Sequence, residues 1–299
     1  MSQQVSRPVV VLDGLHSVAD RYDVVLCDVW GVVHNGIAAY EAASDALTRF
    51  RAKGGRVVLV SNAPRPGDAV GRQLDRLGVP RAAYDAIVTS GDLTRASVEE
   101  RLAQVLHHLG PPRDLPIFEG LPVRFGSIEE ADYVVCSGFD AEDEGRESVE
   151  AYRPRLEAMR RRALWMLCAN PDLVVERGDM LIPCAGAIAQ LYETMGGEVY
   201  YAGKPHRPIY EQAVATAAKL VGTPIARDRV LAVGDAIRTD IAGAAGFGID
   251  SVLVARGIHA EELRLHVDPL DSESVQDWLA LQDVQPKAVM ERLVWQAVG

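Results

Sequence analysis

Short apolar runs recur along the chain, separated by stretches in which apolar and polar positions alternate with a helical period. The runs at 24–27, 56–60, 86–89, 133–136, 164–167, 199–201, 229–233 and 251–254 are β-branched, leucine-rich or aromatic and read as strands. Segments 66–77, 92–108, 148–161, 185–195 and 208–220 read as amphipathic helices. Strands that are apolar at nearly every position and separated by helices belong to a parallel sheet covered on both faces. The pattern therefore predicts an α/β fold. The Pro- and Gly-rich stretch 110–126 reads as loop or short strands, and the acidic stretch 140–150 as a solvated loop leading into a helix. Residues 271–299 read as one or two helices in which Trp278 and Trp295 serve packing.

Composition narrows the function classes. The 299 residues are 48% apolar and 24% charged, enough for one large α/β domain or two ordinary ones. A formal charge of −11 argues against non-specific binding to nucleic acid or anionic membrane, which requires a positive field. It leaves room for an anionic small substrate, because a few local cations and a metal outweigh the global charge within a site. Cys27, Cys136, Cys168 and Cys184 form no CxxC pair and read as buried small hydrophobes in a reducing cytoplasm. The apolar run at 9–12 is too short for a signal-peptide core, and no run approaches the roughly 18 apolar residues of a membrane span. The expectation is a cytoplasmic protein with neither membrane nor nucleic-acid partner.

Chemistry concentrates where strands end, which in an open parallel sheet is where ligands sit. The run 25–27 ends in Asp28, followed by Trp30 and Gly31; the carboxylate is a nucleophile, a metal ligand or a simple turn cap. The run 57–60 ends in Ser61-Asn62, whose hydroxyl and N–H groups suit an anion or an ordinary hydroxyl turn. Lys204 in Gly203-Lys204-Pro205 either reaches an anionic oxygen or lies on the surface. The run 231–233 leads into Gly234-Asp235 and, five residues on, Asp240; grouped hard oxygens suit Mg²⁺, and Asp240 is also a candidate helix N-cap.

Taken in order, strand-Asp, strand-Ser, loop-Lys and strand-GDxxxxD resemble the four motifs of the haloacid dehalogenase superfamily. The segments Asn170-Pro171-Asp172, Cys184-Ala185-Gly186-Ala187-Ile188, Gly203-Lys204-Pro205-His206 and 234–240 resemble its class IIA branch, the relatives of the NagD-type phosphatase, over roughly residues 20–257. The resemblance implies a Rossmann-like parallel-sheet core, residues 1–90 and 198–299, with an inserted α/β cap of the C2 type at 91–197. It implies a Mg²⁺-dependent phosphatase acting on a small phosphorylated metabolite through an aspartyl-phosphate. Asp28 would be nucleophile and metal ligand, joined by the Trp30 carbonyl, Asp235 and Asp240. Ser61 and Asn62 would hold the transferring group and Lys204 would balance charge. Asn170 and Asp172 would make cap-side or orienting contacts. Pairing of caps into a homodimer follows by analogy.

One position departs from the pattern. The family's phosphatases carry a second Asp two residues after the nucleophile, which protonates the leaving group; here that residue is Trp30. An indole N–H does not exchange a proton in this role. Three readings stay open: a phosphatase with another donor or an easy leaving group, with His34 and His206 nearby in the motifs; a dehalogenase-like hydrolase, since those enzymes carry an aromatic residue there; or a phosphometabolite-binding module of weak activity. The acidic pair Asp235 and Asp240 counts against the dehalogenase, which uses no metal.

Overall fold

The computed structural model describes residues 9–140, 148–177, 180–265 and 270–297. The chain opens with β1 (Val10–Val11), β2 (Val24–Cys27), α1 (Glu41–Ala52), β3 (Arg56–Ser61), α2 (Gly67–Leu77), β4 (Ala86–Thr89) and α3 (Ser90–Glu99). A middle section follows: β5 (Val105–Leu109), β6 (Arg124–Phe125), β7 (Tyr133–Cys136), α4 (Arg153–Arg161), β8 (Trp165–Cys168), β9 (Val174–Arg177), β10 (Met180–Pro183), α5 (Ala185–Thr194) and β11 (Val199–Tyr201). The chain then forms α6 (Arg207–Val221), β12 (Val230–Gly234), α7 (Ala242–Phe247), β13 (Asp250–Val254), α8 (Ser272–Leu279) and β14 (Ala288–Met290).

Two parallel sheets result. The larger has the order β1-β14-β13-β12-β2-β3-β4, and the smaller β11-β8-β7-β5-β6, with β9 and β10 forming a separate antiparallel hairpin. Side chains alternate across the larger sheet. Val25, Cys27, Val57, Leu59 and Val233 pack under α1 and α2, whereas Val24, Leu26, Val58, Val60 and Ala232 pack under α6 and α7. Burial on both faces is why these strands read as continuous apolar runs. The smaller sheet has its own core, where Val134, Cys136, Met166 and Cys168 meet Leu156, Ile188 and Tyr192.

In the larger sheet, β2 leads outward through β3 to β4, while β12 leads the other way through β13 to β14. The order reverses between β2 and β12, which opens a crevice at their carboxyl ends. Register then lines up the chemistry. Cys27 is level with Leu59 and Val233, so Asp28 lies one residue beyond that line and Ser61 and Asp235 two beyond it.

Three expectations change. The stretch 92–108 is not one helix: α3 stops at Glu99 and residues 105–109 form β5, in which Leu106 and Leu109 are buried and the intervening His107 and His108 half-buried. The C-terminal stretch holds one helix, α8, and then β14, which pairs with β13 and β1 in the large sheet. Val199–Tyr201, counted with the core by a boundary at 197/198, is instead paired with β8 in the smaller sheet. Of the acidic stretch 140–150, residues 141–147 lie outside the described residues. Among the described residues no helix is long and apolar enough to cross a membrane.

Candidate active site

Four charged groups converge at the crevice. Asp28 follows β2, Asp235 follows β12, Asp240 lies in a π-helical turn at Ile237–Ile241, and Lys204 follows β11. Each is less than 10% exposed. Lys204 Nζ donates to Asp28 Oδ1 at 2.5 Å and to Asp240 Oδ1 at 2.6 Å. Ligand oxygens of Asp28, Asp235 and Asp240 lie within 4.8 Å of one another. Backbone donors orient them: Ile258 N–H to Asp235 Oδ2 at 2.9 Å, and Ala236 N–H to Asp240 Oδ2 at 3.2 Å.

Three buried carboxylates face one ammonium. Burial first, and then the neighbouring Asp240, raises Asp28 above the usual carboxylate range against the pull of Lys204. Burial first, then Asp28 and Asp240, likewise raises Asp235 well above its ordinary value. Burial alone would lower Lys204, but Asp240 and Asp28 outweigh it and hold the ammonium well above its ordinary value. The buried carboxyls thus lack enough compensating positive charge, which is why they hold protons more tightly than usual, and their donors are all hard oxygens. Both properties fit a bound Mg²⁺.

The local backbone is shaped for this approach. Gly31 has φ +84°, and a Cβ there would sit 2.0 Å from Asp235 Oδ2. Gly31→Ala is expected to cost about 1–2 kcal/mol for the left-handed backbone alone and to displace Asp235. Chemical denaturation and Mg²⁺ titration of the variant would register the two effects separately.

Ser61 ends β3 with its Oγ accepting the Ala63 N–H at 3.2 Å, the local turn expected of a strand-end hydroxyl. Asn62 does more. Its Nδ2 donates to Asp172 Oδ1 at 2.9 Å and to the Lys204 carbonyl at 3.1 Å, while its Oδ1 accepts the Lys204 N–H at 2.8 Å. One amide therefore ties the β3 loop to the lysine loop and to the loop after β8. Gly203 permits that approach, since a Cβ there would lie 2.6 Å from Asn62 Oδ1. Asn170 Oδ1 closes the Asn-Pro-Asp turn by accepting the Asp172 N–H at 3.1 Å. Burial raises the Asp172 carboxyl, opposed by Lys204 and Asn62.

A cavity of about 760 Å³ covers these groups, with walls from the strand ends of both sheets. Asp28, Ser61, Asn62, Lys204, Asp235 and Asp240 all line it. So do Asn170 and Asp172, and Trp30.

Residues 25–120 match the family described as haloacid dehalogenase-like hydrolase, and residues 201–292 match the HAD-hydrolase-like family. A solved hydrolase of the haloacid dehalogenase-like family from Brucella suis is 43% identical, with a TM-score of 0.82 over 94% of this chain and 99% of that one. The chain belongs to the haloacid dehalogenase-like hydrolases. It is also 28% identical to the D-glycerol 3-phosphate phosphatase of Mycobacterium tuberculosis, over 86% of this chain and 69% of that protein. The 5′-nucleotidase YutF of Bacillus subtilis is 25% identical over 81% of this chain and 90% of its own.

The surroundings of Trp30, which borders the cavity, show how its indole is accommodated. The Trp30 ring meets the His34 ring edge-on at 5.0 Å and 70°. It lies against Gly36, where a Cβ would come within 2.5 Å of Trp30 Cζ2. Neither histidine singled out from the motifs takes over as a free proton carrier. His34 is 1% exposed, its Nδ1 accepts the Gly36 N–H at 2.9 Å, and burial first, with Arg65 second, pushes it down to about 4. His206 does reach the cavity, but it lies flat on Tyr201 at 4.9 Å, and burial lowers it against the pull of Glu193.

Sequence reasoning missed the wall contributed by Arg65, Arg113, Asp114, Ser137 and Phe139. A signal existed for part of it. Read as a strand, 105–109 would have placed Arg113 and Asp114 just past a strand end, where ligand groups collect.

Proposed function

We propose that the protein hydrolyses a small phosphate monoester, with Asp28 as nucleophile. The observation that carries this reading is the buried meeting of Asp28, Asp235, Asp240 and Lys204 at the reversal point of the parallel sheet, beneath one cavity. The phosphatase names of the M. tuberculosis and B. subtilis relatives support the same chemistry.

In this reading an Asp28 carboxylate oxygen forms a bond to phosphorus as the bond to the ester oxygen breaks, giving an aspartyl-phosphate and an alkoxide or phenolate that takes its proton from solvent. Water then attacks that phosphorus, releases inorganic phosphate and restores Asp28. Lys204 neutralises charge on Asp28 and on the phosphoryl oxygens, and Ser61 with the Asn62 N–H cradles those oxygens. Asp28, Asp235, Asp240 and the Trp30 carbonyl would hold Mg²⁺, which when bound supplies charge neutralisation to the phosphoryl group. Asn170 and Asp172 keep Asn62 in place. The segment from α3 to β11 acts as the cap that keeps bulk water from the site. The four cysteines are free and buried, which fits a reducing, cytoplasmic setting. Pairing of caps into a homodimer belongs to the same reading, and light scattering of the purified protein tests it.

Trp30 favours a restricted version of this activity, fastest on esters whose alcohol leaves without protonation. A dehalogenase has no use for three clustered carboxylates, and an isolated binding function leaves the Lys204–Asp28 pair without a purpose. The test is nitrophenol release from p-nitrophenyl phosphate. EDTA is expected to abolish it and added Mg²⁺ to restore it. The same Mg²⁺ addition should stabilise the fold by about 2.7 kcal/mol at a hundredfold excess over Kd. Turnover that survives complete removal of divalent ions overturns the metal assignment.

A further inference from the structure

The cavity wall holds a buried carboxyl group that the proposed hydrolysis does not use. Asp114 lies in the 3₁₀ turns at Pro112–Phe118 after β5, and Ser137 and Gly138 follow β7. All three line the cavity that also covers Asp28 and Lys204. Pairing of β5 with β7 sets Leu109 level with Cys136, so the loops that follow the two strands leave the smaller sheet side by side. Asp114 is 2% exposed, as little as Lys204 at 3%, and both border the cavity.

A chain of polar groups stands behind this carboxyl. Burial pushes Asp114 up to about 6, against Arg113, Arg65 and the Ser137 hydroxyl beside it. Ser137 Oγ in turn meets His108 Nε2 at 2.9 Å. Burial lowers His108 to about 4 against the pull of Asp140, so its ring is neutral at physiological pH and carries one proton. With that proton on Nε2, His108 donates to Ser137 and leaves the Ser137 O–H to face Asp114. Gly110 makes room for the chain: a Cβ there would fall 2.1 Å from Ser137 Oγ and 3.0 Å from His108 Nε2. On the other side a Cβ at Gly138 would come within 3.8 Å of Asp114 Oδ2, so the glycine keeps the flank of that oxygen clear.

A carboxylate offers about four acceptor positions, and one hydroxyl fills one of them. Leaving a buried acceptor without a donor is costly. Both arginines already favour the ionised form of Asp114, so what a ligand adds there is a hydrogen-bond donor rather than more positive charge. We propose that Asp114 is a specificity-determining residue that accepts a hydrogen bond from a hydroxyl on the organic part of the substrate, which is then a hydroxylated phosphate monoester. The proposal rests on the phosphatase reading above. A hydroxyl donates without bringing charge into a desolvated wall, whereas an alkyl chain of the same length would cover the carboxylate and leave it unpaired.

The test measures binding, because Trp30 slows turnover of esters of basic alcohols whatever else they carry. Glycerol 3-phosphate and n-propyl phosphate share a chain length and differ only in hydroxyls. Affinity for each is measured by calorimetry with Mg²⁺ on Asp28→Asn, alone and combined with Asp114→Leu or Asp114→Asn. Nitrophenol release from p-nitrophenyl phosphate by the wild type is followed alongside. With Asp114 intact, the glycerol ester is expected to bind more tightly by on the order of 10- to 100-fold. Asp114→Leu, similar in size and without an acceptor, should bring the two esters level. Asp114→Asn, which keeps the shape and a neutral acceptor, should retain part of the difference and serves if leucine impairs folding. Equal affinities with Asp114 intact, no binding of either ester, an undiminished preference in the Asp114 variants, or equal weakening of both esters overturns the assignment. Nitrophenol release then leaves the phosphatase reading standing, and Asp114 only ties the loops after β5 and β7 together. Selective binding of the glycerol ester without nitrophenol release supports the Asp114 site and sinks the phosphatase reading. Absence of both binding and release overturns both.

Discussion

Asp28→Asn is expected to lower turnover of p-nitrophenyl phosphate by on the order of 10⁴- to 10⁶-fold, the scale seen when a covalent nucleophile is removed. The amide is nearly the same shape but offers no anionic oxygen to phosphorus. The fold should survive. Lys204 keeps its contact with Asp240 at 2.6 Å, and the substitution removes one of three carboxylates that repel one another in the metal-free site. Thermal melting with and without Mg²⁺ separates the two effects: an unchanged or higher metal-free Tm beside lost turnover is the expected pair of results. A variant that keeps activity within tenfold of wild type places the nucleophile elsewhere.

The second large effect is a gain. Trp30→Asp places a carboxyl group two residues beyond the proposed nucleophile, where it could protonate the leaving group, and general acid–base help contributes about 10²–10⁴ in rate. The gain should appear on an alkyl phosphate, whose alkoxide needs a proton to depart. On p-nitrophenyl phosphate, whose phenolate leaves unaided, it should be small. Comparison of the two substrates is therefore the informative measurement. The substitution also removes the indole from His34 and Gly36. Large-to-small changes at fully buried aromatics cost about 3–5 kcal/mol, and the partial exposure of Trp30 places its cost below that. An alkyl phosphatase rate that does not rise means that another group already supplies the proton. Among the cavity residues Asp172, whose carboxyl is raised by burial, would be examined first.

Much of this protein was legible from the sequence by itself. The apolar runs around 24–27, 56–60, 86–89 and 229–233 became β2, β3, β4 and β12 within a residue at either end, because strands covered on both faces tolerate little but apolar residues. Asp28, Ser61, Lys204 and Asp235 stood out for a related reason: in strands so uniformly apolar, the polar residue that ends the run marks the edge where ligands bind. The order of those residues along the chain then pointed to the family.

Other features were decided only by tertiary structure. Residues 105–109 read as helix because their buried leucines, three apart, also satisfy a helical period; pairing with β6 and β7 makes them a strand. β14 is three residues long and carries no signal of its own until β13 and β1 flank it. Asn62 looked like a phosphate ligand alone, yet its side chain spans to Asp172, 110 positions away, a contact no local pattern encodes. The cluster of Arg65, Arg113 and Asp114 is of the same kind. Each residue is unremarkable in its own loop, and only the meeting of two sheet edges across one cavity gives them a common electrostatic environment. Local periodicity reports which face of an element is buried; which distant loops share a cavity depends on how the sheets are set against each other, and that is a property of the packed chain.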